Sequence, residues 1–555
     1  MLLKRLIELN TPAICIDIFE RSRQVGAGMP YSRAGANNEH ITNVSANEIP
    51  ELVTPMTDWV KTLPQETLDD FFIDAERFNE YKVLPRLLFG DYLFAQFNLL
   101  LQQAEAKGIC VNIHTNTAVT DAAIEQDTGR ISLYTAAGLI QAYDYAVICT
   151  GHTWPVKSEN AQKNFFESPY PPAKLCRKVN YPVALRGSSL TAIDAIATLA
   201  CSNGRFVEDG DRFRYELDPA SQGFRIVMHS RNGFLPAVRF HLEDALFATV
   251  RLTKEEVEDI RAKNDGFLSL DVVFETKFKQ KLRDKEPELY CQVKDMNVEA
   301  FVDFVSGMRE NMDAFDMLQL EYAEAEKSIR QHRSVYWKEL LSMLSIEMNY
   351  PAKYFSAEDM QRLQKVLMPL ISVVIAFIPQ TSAKELMALH DAGLLELVTV
   401  AAESRVEPHP EQGCLYYDKE DEAPVHFRMY VDCVGQPHLQ FNEFPFRTLL
   451  AQQAVAPALL RFRDRQNGKA EAGKNKQVFR AEEGDYYLTV PGIAINDYFQ
   501  VVDKAGQANS RLYVMAVPLI GGYNPDYSGL DFCEAASALV AEALAGLVVE
   551  KQVQV

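Results

Sequence analysis

No two of the nine cysteines are spaced as C-x-x-C. An odd, dispersed set of thiols argues against a disulfide framework and a structural zinc centre, and it fits a reducing cytoplasm. The ten histidines make no H-E-x-x-H motif and no close pair, so no metal site is expected. No G-K-[ST] loop or G-x-S-x-G elbow occurs, which sets aside P-loop nucleotide hydrolysis and the hydrolase nucleophile. Basic residues are in deficit: 56 Lys and Arg stand against 76 Asp and Glu, a formal charge of -20. Such a surface repels phosphate backbones and anionic lipid, so neither nucleic acid nor membrane is an expected partner. Long apolar runs are missing too. The longest, residues 366–379, is too short to span a bilayer, carries Pro369 and reads as buried core. Lys4, Arg5 and Glu8 interrupt the N-terminal segment where a signal peptide would be apolar.

What is present fits a soluble α/β chain. The 555 residues, 47% hydrophobic and 24% charged, call for two or three domains. Leu2, Leu3, Leu6, Ile7 and Leu9 form one helical stripe, ended by Pro12. "AICIDIF" reads as a short buried strand, and "PRLLFGDYLFAQFNLLLQQAEAKG" as a long helix closed by Gly108. Residues 250–365 change character, with Glu, Lys, Leu and Met at helical spacing. The polar segment "QNGKAEAGKNKQ" reads as a surface loop. The chain therefore divides into residues 1–155, a second α/β unit over 156–249, a helical insertion over 250–365, a return over 366–440 and a C-terminal part over 441–555.

"GSSLTA" follows the apolar strand "PVAL" and opens the helix "LTAIDAIATLA". Gly187 permits the tight turn, and Ser189 is small enough for backbone to approach a pyrophosphate. Ala192 allows close packing of helix on strand. Together they match G-x-G-x-x-G/A with Ser in the second glycine position. The helix N-terminus adds N–H donors and a positive dipole end. Downstream, "RIVMHSRNG" reads as the next strand, with Ser230 and Arg231 at its end. An arginine there accommodates a 2′-phosphate and favours NADPH over NADH. The separation exceeds the usual distance of about 20 residues, and the polar insert "SNGRFVEDGDRFRYELDPASQG" accounts for the excess.

The first 32 residues look like the latter half of a similar unit. Glu20 ends the strand "AICIDIFE", where an acid accepts from ribose hydroxyls about 20 residues after a glycine loop. Counting back puts that loop, and the strand ahead of it, at or before Met1. Met1 then reads as an internal methionine of a longer protein. Glu20-Arg21 leads into "QVGAGMPYS", where Gly26 and Gly28 let backbone approach a flavin. "HITNVSANEIP" offers Asn43, Ser45 and Asn47. "YAVICTGHTWP" is a strand ending in Thr150-Gly151, a crossing between two nucleotide domains. His152 and Trp154 follow it, and Tyr523, Asn524 and Asp526 sit in a C-terminal loop.

These pieces, with "PRLLFGDYL", "MHSRNGFLP", "SAKELMALHDAGLL", "VDCVGQP" and "NPDYSGLDFCEAASALVAEAL", occur in order over most of the chain. The ordered set resembles flavoproteins with two dinucleotide-binding domains, distantly similar to N-hydroxylating and Baeyer–Villiger flavin monooxygenases. The resemblance implies an α/β fold of two Rossmann-like dinucleotide-binding domains, of the FAD/NAD(P)-binding type, with a helical insertion. It implies the cofactors FAD and NAD(P)H, NADPH favoured, and a small-molecule substrate. Glu20 and Arg21 would lie at the AMP ribose of FAD, and Gly26, Gly28, Tyr31 and Asn43 near the flavin. Arg86 would face FAD, with Gly90 leaving room. Thr150 and Gly151 would form the hinge. Gly187, Ser188 and Ser189 would cradle the NAD(P) pyrophosphate, with Ser230 and Arg231 at the ribose. The final helix, from Gly529, would point at the flavin. No catalytic acid or base is named. The missing N-terminal G-x-G-x-x-G keeps a second reading open: a truncated or cofactor-deficient protein of the same fold with a binding or regulatory role.

Overall fold

The computed structural model describes all residues except 10–13, 153–158, 160, 161, 211, 243–251, 350, 420–422, 437, 527, 528, 554 and 555, and excludes the side chains of 548–553. Pro12, Trp154 and Pro155 lie outside the described residues. No described helix is long and apolar enough to cross a membrane.

The first helix is Leu2–Glu8 and the first strand Cys15–Phe19. That strand pairs in parallel with Cys110–His114, which follows the long helix Arg86–Ala106. Ala146–Ile148 runs parallel to Ala508–Val514, which pairs antiparallel with Gln500–Val502. The sheet of this half is thus in two pieces, one of two strands and one of three. The first helix spans both. Leu3 and Ile7 are buried with Leu100 and Ala104 over Ile16 and Ile18, while Leu2 and Leu6 pack on the core of Ile148, Leu512, Ala536 and Val540. Its apolar stripe is wide because it has two sheets to cover.

The second half is built on a five-stranded parallel sheet, ordered Leu395–Thr399, Arg225–Ser230, Pro182–Arg186, Tyr430–Asp432, Phe165–Phe166. Val183, Ala184 and Leu185 are fully buried at its centre, as a strand covered on both faces requires. Helices Leu190–Asn203 and Gln380–Asp391 contribute to the core on one face. A small antiparallel sheet of Arg405–Pro408, Cys414–Tyr417 and Val425–Phe427 covers the other, placing Tyr416 and Phe427 against Val227 and Tyr430. The polar insert between the glycine turn and Arg225 forms a hairpin, Gly204–Asp209 with Arg212–Leu217.

Helices between Lys254–Ala262 and Met368–Val374 enclose a core around Phe274, Phe278 and Phe301, except Ala314–Gln331, which packs Phe315, Leu318 and Ala325 into the core of the parallel sheet. Residues 366–379 are largely buried helix, with Leu367, Leu370, Ile371 and Val374 inside. Two sequence readings change here. Ala458, Leu460, Leu488 and Val490, from the sheet Pro457–Arg461, Val478–Arg480 and Tyr486–Ile493, share the helical core rather than that of the C-terminal unit. The expected loop at 466–477 is partly the helix Arg465–Ala472, because Asp464 accepts from the Gln466 N–H at 2.7 Å and caps it.

Candidate functional site

A crevice of about 630 Å³ opens at the carboxyl ends of Pro182–Arg186 and Tyr430–Asp432. From the central strand the chain moves to one side of the sheet, through Arg225–Ser230 and Leu395–Thr399, before crossing to Tyr430–Asp432 on the other. This is the switch point at which open parallel sheets bind nucleotides. Gly187 turns the chain with φ +105°, and a Cβ there would stand 3.0 Å from the Cys433 carbonyl oxygen. Only glycine tolerates both. Ser189 starts the 14-residue helix in extended conformation, and its side chain makes no cap hydrogen bond. The Ala192 and Ile193 N–H groups donate to the Ser189 carbonyl, and the helix start meets the crevice wall at Ser189.

Ser188 lines the crevice, but its hydroxyl donates to the Phe234 carbonyl at 2.6 Å and holds the 232–236 loop. Ser230 also lines it, donating to Asn232 Oδ1 at 2.7 Å. Arg231 is exposed and stands outside the crevice wall at the strand's end. Asp432, Gly435, Gln436 and Asn232 complete the wall and were not singled out from sequence. The quoted "VDCVGQP" held three of them, since a strand ending in glycine is the same signal that marks Gly187. Gln436 reaches His152 Nδ1 at 2.8 Å, which ties the exposed Thr150-Gly151 link to the crevice.

In the first half, Glu20 ends its strand, its N–H donating to the His114 carbonyl and its carboxylate accepting from the Ser22 N–H at 2.7 Å. Arg21 beside it is exposed. Gly26 and Gly28 have φ of +92° and +76°. Tyr31 packs edge-on to Phe89, ring centroids 4.7 Å apart, and burial raises its hydroxyl pKa. Gly529 precedes the final helix Leu530–Val553 and is exposed.

Three residues expected near the flavin make contacts within the protein. Arg86 Nη1 meets Asp194 Oδ2 at 2.5 Å and Arg86 Nε donates to the Ile41 carbonyl. Tyr170 donates to the same Asp194 oxygen at 2.5 Å. Arg86 therefore faces the helix Leu190–Asn203 of the other half. Gly90 makes room for the Tyr31 backbone, whose carbonyl oxygen would stand 2.0 Å from a Cβ there. The Asn43 carbonyl accepts from Arg239, which also holds Ser45 and Glu48. Glu48 caps its own turn through the Ser45 N–H at 2.8 Å. An arginine 196 residues away in sequence captures this loop, and the sequence carries no local sign of it.

A second cavity, of about 260 Å³, lies between the helical part and the final helix. Ile346, Ile495, Phe499 and Phe532 make its apolar wall, and Lys353 with Asp497, 2.6 Å apart, its charged one. Burial acts to raise the Asp497 carboxyl, but Lys353 and the Tyr354 hydroxyl hold it below its usual range. Tyr523 and Asn524 line this cavity, while Asp526 accepts from Ser345.

Residues 1–153 match the family model described as FAD-NAD(P)-binding. The N-terminal domain is of that family. Residues 253–375 match the YdhS-like middle domain, a range that supplies most of the helical core. The chain is 27% identical over 451 residues to the uncharacterized protein YdhS of Escherichia coli K12, covering 80% of this chain and 83% of that one. Among solved structures it is similar to the ornithine hydroxylase of Pseudomonas aeruginosa, at 10% identity and TM-score 0.47, over 98% of this chain and 96% of that one. It is also similar to the FAD-bound cadaverine monooxygenase of Erwinia amylovora, at 12% identity and TM-score 0.41, over 98% and 92%. Glu20 and the glycines at 26 and 28 lie within the FAD-NAD(P)-binding match, and the crevice lies on the second parallel sheet.

Proposed function

We propose that this chain is an NAD(P)H-dependent oxidoreductase of the FAD/NAD(P)-binding kind, acting on a small molecule in the cytoplasm. In its fuller form the reading is a flavin monooxygenase. The observation that carries it is the crevice at Gly187: a glycine turn, an uncapped helix start and a volume of about 630 Å³ at a sheet switch point. The residues present fit a nicotinamide dinucleotide. Gly187 and the N–H groups after Ser189 would hold its pyrophosphate, and Ser230 and Arg231 its ribose end. The bound cofactor would supply a hydride. The smaller cavity, largely apolar with the Lys353–Asp497 pair on one wall, suits the substrate.

The fit to FAD is partial. Glu20 suits a ribose and the 26–28 turn suits a flavin, but among the described residues no glycine turn cradles a pyrophosphate on this half. A second reading is a binding or regulatory protein on the same fold. Colour separates them: protein given FAD and then desalted should absorb at roughly 450 nm. No bound flavin alongside intact NADPH binding would favour the second reading. For the first, NADPH should bind more tightly than NADH. Arg231→Ala should weaken NADPH roughly tenfold, about 1.4 kcal/mol, and leave NADH nearly unchanged. Equal loss of both would remove the preference for NADPH.

A further inference from the structure

Away from both cavities, two thiols meet on one face of the strand pair Cys15–Phe19 and Cys110–His114. The parallel register sets Cys15 directly opposite Cys110. Their sulfurs are 2.7 Å apart, and both residues are exposed. Neighbouring strands lie about 4.8 Å apart, within the Cα separation of about 4.4–6.8 Å that a disulfide bridges. No backbone movement is needed to join them. The same face continues with Asp17 beside Asn112, linked at 2.7 Å, and Phe19 stacked on His114 at 4.6 Å. Tyr143 and Gln141 both donate to Asp17, which fixes the face against the neighbouring hairpin. The thiols therefore sit on a rigid, solvent-open platform.

We propose that Cys15 and Cys110 are a redox modification site, closing to a reversible cross-strand disulfide by exchange with a low-molecular-weight disulfide. One thiolate of the pair attacks a sulfur of the incoming R–S–S–R. A protein–S–S–R bond forms, and R–S⁻ leaves and takes up a proton. The second thiolate then attacks the protein sulfur, forms the protein disulfide and expels the other R–S⁻. Two protein thiols lose two electrons, and one small disulfide becomes two R–SH. The hydrogen bond between the two thiols, with the Asp17 carboxylate nearby, holds the Cys15 thiol pKa up, which lowers its thiolate fraction and slows exchange. Closure would clip the strand that ends in Glu20 to its only partner among the described strands.

The test is peptide mapping of the full chain after equilibration with oxidised glutathione, free thiols being blocked by alkylation before digestion. The expected product is one peptide pair joined through Cys15 and Cys110, released by reduction, with the other seven of the nine cysteines alkylated. In Cys15→Ser the joined pair should vanish, and Cys110 should carry glutathione instead. Both thiols alkylated in the oxidised sample would overturn the proposal. So would glutathione retained stably on either one in the wild-type chain, since a neighbour at 2.7 Å must displace it.

Discussion

Arg86 has its guanidinium fixed by a carboxylate on another element and a backbone carbonyl, and little of the side chain reaches solvent. Breaking a buried pair from one side strands the other charge. Arg86→Ala leaves Asp194 with only the Tyr170 hydroxyl and its charge unbalanced. It should lower unfolding stability by about 3–5 kcal/mol, measured by urea denaturation. Replacing both partners, Arg86→Met with Asp194→Leu, should recover most of that loss. A large loss of flavin affinity at unchanged stability would instead return Arg86 to the cofactor. Residue type marked Arg86 as important; only its partner says for what.

At the scale of elements, Gly468 shows how packing reverses a local rule. It sits inside the helix Arg465–Ala472, where alanine normally improves on glycine by about 1 kcal/mol. Here a Cβ would stand 2.4 Å from Tyr486 Cβ and 2.8 Å from its Cγ. The helix lies that close because Tyr486 and Phe462 seat it on the sheet closing the helical core. Gly468→Ala should therefore destabilise by about 1–3 kcal/mol, read as a lower denaturation midpoint. Periodicity found the strands and helices that carry their own signal, such as "AICIDIF" and the helix after Gly187. It missed the short helix at 465–472, whose polar composition resembles a loop, and it assigned 457–493 by sequence adjacency where side-chain burial assigns it to the helical core.

At the scale of the whole molecule, the two halves meet through polar groups: Arg86 with Asp194, His40 with Thr198, and Arg239 with Glu48. Glu39 accepts from Thr198 at 2.8 Å, and Glu385 of the helix Gln380–Asp391 lies within its field. Burial, then the Glu39 charge, push the Glu385 carboxyl from near 4.5 up to about 8. The folded state keeps this proton while the unfolded chain has lost it. This carboxyl's contribution to stability is therefore fully present below about pH 4.5 and is lost as pH rises to about 8. Glu385→Gln should flatten that slope and stabilise the protein above pH 8 by up to about 5 kcal/mol, because each of the roughly 3.5 pH units between those two values costs the wild type up to about 1.4 kcal/mol. Denaturation midpoints at pH 6 and pH 9 read it, and equal pH slopes in both proteins would reject the assignment.

By itself the sequence determined what depends on neighbours in the chain. The glycine turn at 187, the strand ending in Glu20, the helical stretch after 250 and the net acidity all follow from local pattern and composition. Turns and strands announce themselves because φ limits and side-chain alternation act over a few residues. Tertiary structure alone decided which groups are left for a ligand. Arg86, Gly90 and the Asn43 loop looked like cofactor contacts and became contacts within and between the halves, while Asp432 and Gln436 entered the crevice wall. A side chain's partner is set by which strands lie side by side, and here those strands are separated by up to hundreds of residues.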